Sequence, residues 1–117
     1  MKTIAAAGLA ALALQQASSA FAQPAPFERC AACHFTRSGA NDPGPSLVGV
    51  FGSKAGSRED FRYSRALTRS GITWDERSLN AYLKAPDLLV PGTRMAFEGI
   101  PSDAEREAII RILKSLK

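Results

Sequence analysis

Two cysteines and a histidine lie within five consecutive residues of this 117-residue chain, in the run Cys30-Ala31-Ala32-Cys33-His34. A C-x-x-C-H spacing is typical of covalently attached haem, because both thiols reach the vinyl groups of one porphyrin edge while the adjacent imidazole reaches the iron. The chain has no other histidine and no other cysteine. The motif therefore predicts one haem c, attached through Cys30 and Cys33, with His34 as an iron ligand.

Three alternative interpretations of the motif are weaker. A structural zinc site normally has four Cys or His ligands, and this chain offers three. A thioredoxin-like redox pair follows a strand in a βαβ unit, and the flanking sequence has no strand pattern. A disulfide closing so small a loop would restrict the unfolded chain very little.

The first 22 residues have the pattern of a secretory signal peptide. Lys2 gives a short basic start, residues 4–14 are apolar, and Ala20-Phe21-Ala22 is an A-x-A cleavage site. The apolar run is too short to cross a bilayer core of roughly 30 Å as a helix. We expect residues 1–22 to be removed during export to the periplasm, which leaves one domain of residues 23–117.

The charge and the size of this domain limit its partners. Loss of Lys2 lowers the formal net charge from +4 to +3, and no basic run remains. This pattern argues against nucleic acid and favours docking to an acidic protein. A domain this small needs a further source of stability, which a large apolar haem would supply. We expect a monomer without stable membrane insertion.

Helices are the only regular elements that the sequence indicates, so the predicted fold class is all-α. At the C-terminus, Ser102 and Glu105 form a capping-box pattern before a run of apolar residues at helical spacing. Two shorter helices are predicted over residues 75–84, ending before Pro86, and over residues 64–70. We expect three to four short helices, with long loops wrapped around the haem.

The second axial ligand follows from elimination. Met95 is the only methionine after residues 1–22 are removed, and it lies in the turn sequence Pro91-Gly92-Thr93-Arg94-Met95. A lysine, an open position, or a methionine that merely fills the core are the alternatives. We therefore assign His34 and Met95 as the two axial ligands. A thioether ligand raises the reduction potential of the iron, and an iron with both axial positions filled transfers electrons while excluding substrates.

Residues 27–116 resemble class I cytochrome c, the mitochondrial type and its bacterial periplasmic relatives. The resemblance rests on ordered motifs: C-A-A-C-H at 30–34, G-P-S-L at 44–47, G-V-F-G at 49–52, G-I-T-W at 71–74, Y-L at 82–83, P-G-T-R-M at 91–95, and Phe97 with Gly99-Ile100. It implies the cytochrome c fold.

The resemblance also implies roles on the histidine side and at the haem propionates. The Pro45 carbonyl accepts a hydrogen bond from the outer ring nitrogen of His34, which fixes the imidazole. Tyr63 and Trp74 donate to the inner propionate, and their apolar parts wall the pocket. Ordinary core packing is the alternative role for each aromatic residue.

On the other side of the haem, the resemblance makes Tyr82 and Thr93 the hydrogen-bonding neighbours of Met95. Phe97 closes the exposed haem edge. Leu47, Leu83 and Leu113 are expected in the core, where they keep the site dry.

Three departures from the family pattern carry expectations of their own. Only residues 23–29 precede the motif, so contact with the C-terminal helix is reduced, with Phe27 as its anchor. Ser53 replaces an arginine near the propionates, which removes a charge partner. Residues 86–95 contain no lysine, so replacement of Met95 by a lysine at high pH should be suppressed.

The predicted function is one-electron transfer rather than enzymatic catalysis. The partners implied are a quinol-oxidising membrane complex and a terminal oxidase, photosynthetic reaction centre or soluble reductase. Arg29, Arg37, Lys84 and Arg94 are candidate docking charges, or else simply solvated. Two other functions stay open: a dedicated electron-accepting subunit of a periplasmic dehydrogenase, and a gas-binding haem protein with Met95 off the iron.

Overall fold

The computed structural model describes residues 25–34 and 43–117, together with positions 3, 5 and 8. The predicted signal peptide, apart from those three positions, and the candidate docking residue Arg37 lie outside the described residues. The described residues include the whole C-A-A-C-H motif and the chain from Pro43 to Lys117.

These ranges contain five helices: α1 (Ala25–Ala31), α2 (Arg65–Thr68), α3 (Glu76–Lys84), α4 (Pro86–Leu89) and α5 (Asp103–Ser115). The only β pairing recorded within them is an isolated antiparallel bridge between Lys54 and Thr73. The all-α prediction is confirmed. No helix in the described part of the chain has the length and apolar character needed to span a membrane.

Helix α4 was not among the helices predicted from the sequence. As expected, α3 ends before Pro86, with Lys84 as its last residue. The same proline then occupies the first turn of α4. Its missing N–H and fixed φ suit the start of a helix as well as they prevent continuation of one. A proline that stops one helix here also begins the next.

Side-chain caps fix the start of α3 and α5. The Ser78 amide donates to Oδ1 of Asp75 at 2.8 Å, and the Asp75 amide donates to the Ser78 hydroxyl at 2.9 Å. At α5 the Glu105 amide donates to Ser102 Oγ at 3.2 Å, which is one half of the predicted capping box. The Glu105 carboxylate instead lies 4.0 Å from the guanidinium of Arg29 on α1.

The core forms where α1 and α3 pack against α5. Phe27 of α1 is completely buried, in one cluster with Ile109 and Leu113 of α5. Residues 25–31 are helical, and Phe27 keeps the predicted aromatic contact with the C-terminal helix. Leu83 and Leu113 are buried as expected, whereas Leu47 is only partly buried against this cluster.

The segment after the Pro91–Met95 turn is attached to the end of α3 by its backbone. The Ile100 amide donates to the Leu83 carbonyl at 2.8 Å. Gly99 has a φ of +101°, and a Cβ built there would overlap the carbonyl group of Lys84. Only glycine allows both this backbone conformation and this close approach.

Arg106 on α5 is buried, with 1% of its surface exposed, and its burial was not predicted from the sequence. Its Nη1 donates to the Ile100 carbonyl at 2.6 Å and to the Pro101 carbonyl at 2.9 Å. Its Nε donates to Oδ1 of Asn80 on α3 at 2.8 Å, and Asp103 accepts from Nη2. One side chain thus joins α3, α5 and the segment that follows Met95.

Candidate haem site

One cavity of about 340 Å³ contains all four residues predicted to hold the haem. Cys30, Cys33 and His34 line it from α1 and the turn that follows, and Met95 lines it from the segment after α4. We call it the large cavity. Its volume lies within the roughly 300 to 1,000 Å³ that small-molecule and cofactor sites occupy.

His34 is oriented by a short turn and by one hydrogen bond. The His34 amide donates to the Cys30 carbonyl at 2.8 Å, which continues the hydrogen-bonding pattern of α1 beyond its last residue. Its Nδ1 lies 2.8 Å from the carbonyl oxygen of Pro45. A carbonyl can only accept, so Nδ1 carries the proton and Nε2 keeps a free lone pair for a metal.

Gly44 makes this arrangement possible. A Cβ at position 44 would lie 2.6 Å from Cε1 and 2.7 Å from Nδ1 of His34, both far inside van der Waals contact. The Gly44 amide also donates to the Cys33 carbonyl at 2.8 Å. The backbone of residue 44 therefore packs directly on the imidazole. In the sequence, Gly44 was recognisable only as part of a motif.

Cys30 and Cys33 are not joined by a disulfide, and their surroundings differ. Cys30 is half-buried and Cys33 is exposed. Burial raises the pKa of the Cys30 thiol, and the nearby positive charge of Arg29 offsets this only in part. A redox-active C-x-x-C pair normally has a thiol with a lowered pKa. The environment of Cys30 therefore argues against the thioredoxin-like alternative.

The Met95 side is organised by Tyr82 and Thr93. The Tyr82 hydroxyl of α3 and Oγ1 of Thr93 lie 2.7 Å apart. Oγ1 of Thr93 also accepts from the Met95 amide at 3.4 Å. Burial raises the pKa of Tyr82, so this hydroxyl stays neutral near pH 7. The Arg94 guanidinium donates to the Arg62 carbonyl, which holds the outer side of the same turn.

The walls of the large cavity are mostly apolar and aromatic. The Trp74 and Tyr82 rings have centroids 5.0 Å apart and planes inclined by 52°. Further apolar side chains come from α3, α5 and the loops: Leu47, Leu79, Leu83, Phe97, Ile109 and Leu113. Two thiols, one imidazole nitrogen and one thioether sulfur at an apolar cavity form the donor set of a haem c site, so the residues present fit this cofactor.

A second cavity, of about 60 Å³, is lined by Tyr63, Trp74, Ser53, Lys54 and Arg58, among others. We call it the small cavity. Trp74 lines both cavities, whereas Tyr63 lines only the small one. Burial raises the pKa of Tyr63, which keeps its hydroxyl a donor at neutral pH.

The candidate docking residues differ in position. Arg29, with 58% of its side chain exposed, and Arg94, also exposed, line the large cavity. Lys84 is exposed at the C-terminal end of α3. Arg58, which lines the small cavity, was not predicted from the sequence as a residue of the site. The available signal was an acidic residue, Asp60, two positions after it.

Comparisons with known proteins identify relatives of this chain. No family model matches the chain. Cytochrome c2 iso-2 of Magnetospirillum molischianum is 45% identical over 94 residues, which are 80% of this chain and 97% of that protein. Cytochrome c2 of Rhodoblastus acidophilus is 49% identical over 92 residues, covering 78% and 86% of the two chains.

The structural comparison gives the same family. Cytochrome cH from Methylobacterium extorquens has a TM-score of 0.73 and 42% identity, covering 77% of this chain and 91% of that one. The chain belongs to the class I cytochrome c family. It has the cytochrome c fold, carries one covalently attached haem c, and is an electron-carrier cytochrome.

Proposed function

We propose that this cytochrome carries single electrons in the periplasm, with haem c attached at Cys30 and Cys33 and ligated by His34 and Met95. The observation that carries the proposal is that these four side chains line one apolar cavity. Bound there, the haem supplies a one-electron Fe(II)/Fe(III) couple.

The protein's own residues set the properties of that couple. Pro45 holds the imidazole of His34 in one tautomer, which makes its Nε2 the more basic ligand. The Met95 thioether favours the reduced state and raises the potential. Buried apolar walls such as Leu83 and Leu113 exclude water, and low polarity around a metal also tunes its potential.

The remaining predicted contacts complete this arrangement. With haem bound, Tyr63 and Trp74 would donate to one haem propionate, which would then lie at the small cavity that both residues line. Tyr82 and Thr93 hold the Met95 turn through their 2.7 Å contact. Phe97, which is half-buried on the large cavity, shields the edge of the ring from solvent.

The surface supports a transient carrier that docks through charge. Arg29, Lys84 and Arg94 are exposed and would steer the protein to an acidic partner surface. Within the described ranges, Leu88 is the one large hydrophobic residue that is exposed. A permanent enzyme subunit normally presents a wider apolar face, so this surface favours the shuttle over the dehydrogenase-subunit alternative.

On this basis the partners are a quinol-oxidising membrane complex as donor and a terminal oxidase, reaction centre or soluble reductase as acceptor. We expect residues 1–22 to be removed during export, so that the mature chain begins at Gln23. N-terminal sequencing of the protein from a periplasmic fraction tests this, and an intact Met1 on the periplasmic protein would contradict it.

Spectra of the purified protein test the ligand assignment. The ferric protein should show the sulfur-to-iron charge-transfer band, and the ferrous protein should not bind carbon monoxide at neutral pH. Met95→Leu keeps a similar apolar volume and removes the sulfur, so it should lose the band and bind carbon monoxide.

Leu47→Ile, a volume-conserving change on the same cavity wall, is the matched control and should retain the wild-type spectrum. Carbon monoxide binding by the wild-type protein would contradict His/Met ligation and support the gas-binding alternative. Co-purification with a dehydrogenase in fixed proportion would contradict the free shuttle.

A further inference from the structure

Arg58 is held rigidly on the wall of the small cavity. Its Nε and Nη2 each donate to one oxygen of Asp60 at 2.9 Å, in a bidentate pair. Its Nη1 donates to the Val48 carbonyl at 3.3 Å. A guanidinium has five N–H groups, so one on each terminal nitrogen remains for another acceptor. The side chain is 32% exposed, so the group is partly shielded from solvent.

Ser53, which lines the same cavity, uses its donor elsewhere. Its hydroxyl donates to the Val50 carbonyl at 2.7 Å, and so does its amide at 3.1 Å. In this arrangement Ser53 has no proton to give to an anion. Ser53 therefore does not take over, as a neutral donor, the role of the arginine that the family pattern has at this position.

The groups that face the small cavity make an anion site. Its charged or titratable lining residues are Lys54, Arg58 and Tyr63, and Trp74 lines it as well. Asp60 is the acid paired with Arg58, and its pKa is lowered by that pair, so it stays ionised near pH 7. About 60 Å³ is several times the roughly 10 to 15 Å³ that one water needs, which gives room for a carboxylate.

We propose that Arg58, oriented by Asp60, is the cationic partner of the haem propionate at the small cavity, in place of an arginine at position 53. This rests on the proposed placement of that propionate beside Tyr63 and Trp74. A nearby positive charge favours the ionised carboxylate and therefore lowers the propionate pKa. It also opposes oxidation of the iron and so raises the reduction potential.

The test is the pH dependence of the reduction potential in the holoprotein, measured by spectroelectrochemical titration. Arg58→Gln should lower the potential at neutral pH and move the propionate-linked step upward by about one pH unit. Arg58→Lys keeps the charge without the bidentate fork, so it should recover part of both shifts. Asp60→Asn removes the opposing charge and should shift the potential in the opposite direction to Arg58→Gln.

Lys54→Gln is the matched control, because it removes one positive charge from the same cavity wall on an exposed side chain. Its effect should be smaller and should disappear at high ionic strength, whereas that of Arg58→Gln should persist. Equal shifts from Lys54→Gln and Arg58→Gln, or no shift from Arg58→Gln, would overturn the proposal.

Tyr63→Phe separates this proposal from the placement of the propionate. A shift in Tyr63→Phe with none in Arg58→Gln would overturn the role of Arg58 and leave the propionate at the small cavity. No shift in either variant would overturn both. The sulfur-to-iron band should be unchanged in all five variants, which shows that each one has folded around an intact Met95 ligand.

Discussion

The hydroxyls of Tyr82 and Thr93 lie 2.7 Å apart and join helix α3 to the turn that carries Met95. The Tyr82 ring is buried and lines the large cavity, so the hydrogen bond sits where water is scarce. The same Thr93 oxygen accepts from the Met95 amide. The position of the sulfur therefore depends on a side chain that is 13 residues away in sequence.

A double-mutant cycle measures this link. Tyr82→Phe and Thr93→Val each remove one hydroxyl, and the double variant removes both without leaving a lone buried donor. We expect a coupling free energy of about 1 kcal/mol between them, obtained from denaturant unfolding of the ferric protein. Strictly additive effects would show that the two hydroxyls do not stabilise each other.

The absence of lysine from residues 86–95 predicts a stable Met95 ligand at high pH. Arg94 cannot deprotonate in the accessible range and so cannot replace the sulfur. Leu88→Lys adds an amine with an ordinary pKa near about 10.4, at a side chain that is 83% exposed. In a base titration, the sulfur-to-iron band should disappear at lower pH in Leu88→Lys than in wild type.

Leu88→Gln is the control for this titration and should behave like wild type. If the wild-type protein loses the band as early as Leu88→Lys does, some other ligand replaces Met95, and the prediction is wrong.

Arg106→Met should destabilise the protein strongly. The substitution keeps the apolar length of the side chain but leaves the Ile100 and Pro101 carbonyls and Asn80 without their donor. Loss of a buried, multiply bonded charge costs about 3 kcal/mol in the free energy of unfolding. Arg111→Met on the exposed face of α5 should change it by less than about 0.5 kcal/mol. Similar values for both would mean that the buried guanidinium contributes little.

Gly99→Ala and Gly71→Ala separate two costs of an added Cβ. Both glycines have positive φ, +101° and +68°, so both substitutions strain the backbone. At Gly71 nothing lies within 4 Å of the added atom, whereas at Gly99 it meets the Lys84 carbonyl. We expect a loss of about 1 kcal/mol for Gly71→Ala and at least about 2 kcal/mol more for Gly99→Ala. Equal thermal midpoints for the two variants would show that the chain moves aside at Gly99.

The cap of α3 predicts an acid-sensitive contribution to stability. Hydrogen bonds from Ser78 lower the pKa of Asp75 below its ordinary value. The folded state therefore binds this proton less readily than the unfolded state, and the stabilisation is complete above about pH 4 and is lost as the pH falls through the folded pKa. Asp75→Asn keeps a good cap without the charge, so its thermal midpoint should lie closer to that of wild type at pH 3 than at pH 7. A difference that is independent of pH would contradict this.

The sequence predicted best those features in which chemistry is local. The C-x-x-C-H run names its cofactor because thiols and imidazole must be adjacent, and the predicted cap of α5 depends on Ser102 and Glu105, three positions apart. Helix α4 was not predicted because a proline can follow the end of one helix or occupy the first turn of the next. Only the folded structure shows that Pro86 does both. Burial of Arg106 could not be read from a helix pattern, because three of its acceptors, the Ile100 and Pro101 carbonyls and the Asn80 side chain, lie outside its own helix.

Position 53 shows a different limit of sequence reasoning. The sequence showed that Ser53 replaces a positively charged arginine of the family pattern. A positive charge near the propionates can, however, come from any segment of the chain that folds close to them. Only the folded loop shows that Arg58 lines the same small cavity as Ser53 and that Asp60 fixes its guanidinium. A substitution in a loop-rich fold has to be judged by the three-dimensional neighbourhood of the site rather than by one aligned position.

The large cavity takes its walls from both α1 and α5, the first and last helices of the described chain. Cys30 of α1 and Cys33 in the turn after it therefore meet α5 only when the two ends of the described chain come together. Until α5 packs against α1, both cysteines lie on an open polypeptide and the large cavity lacks one wall. A chain shortened before α5 would keep its cysteines but could not close this pocket.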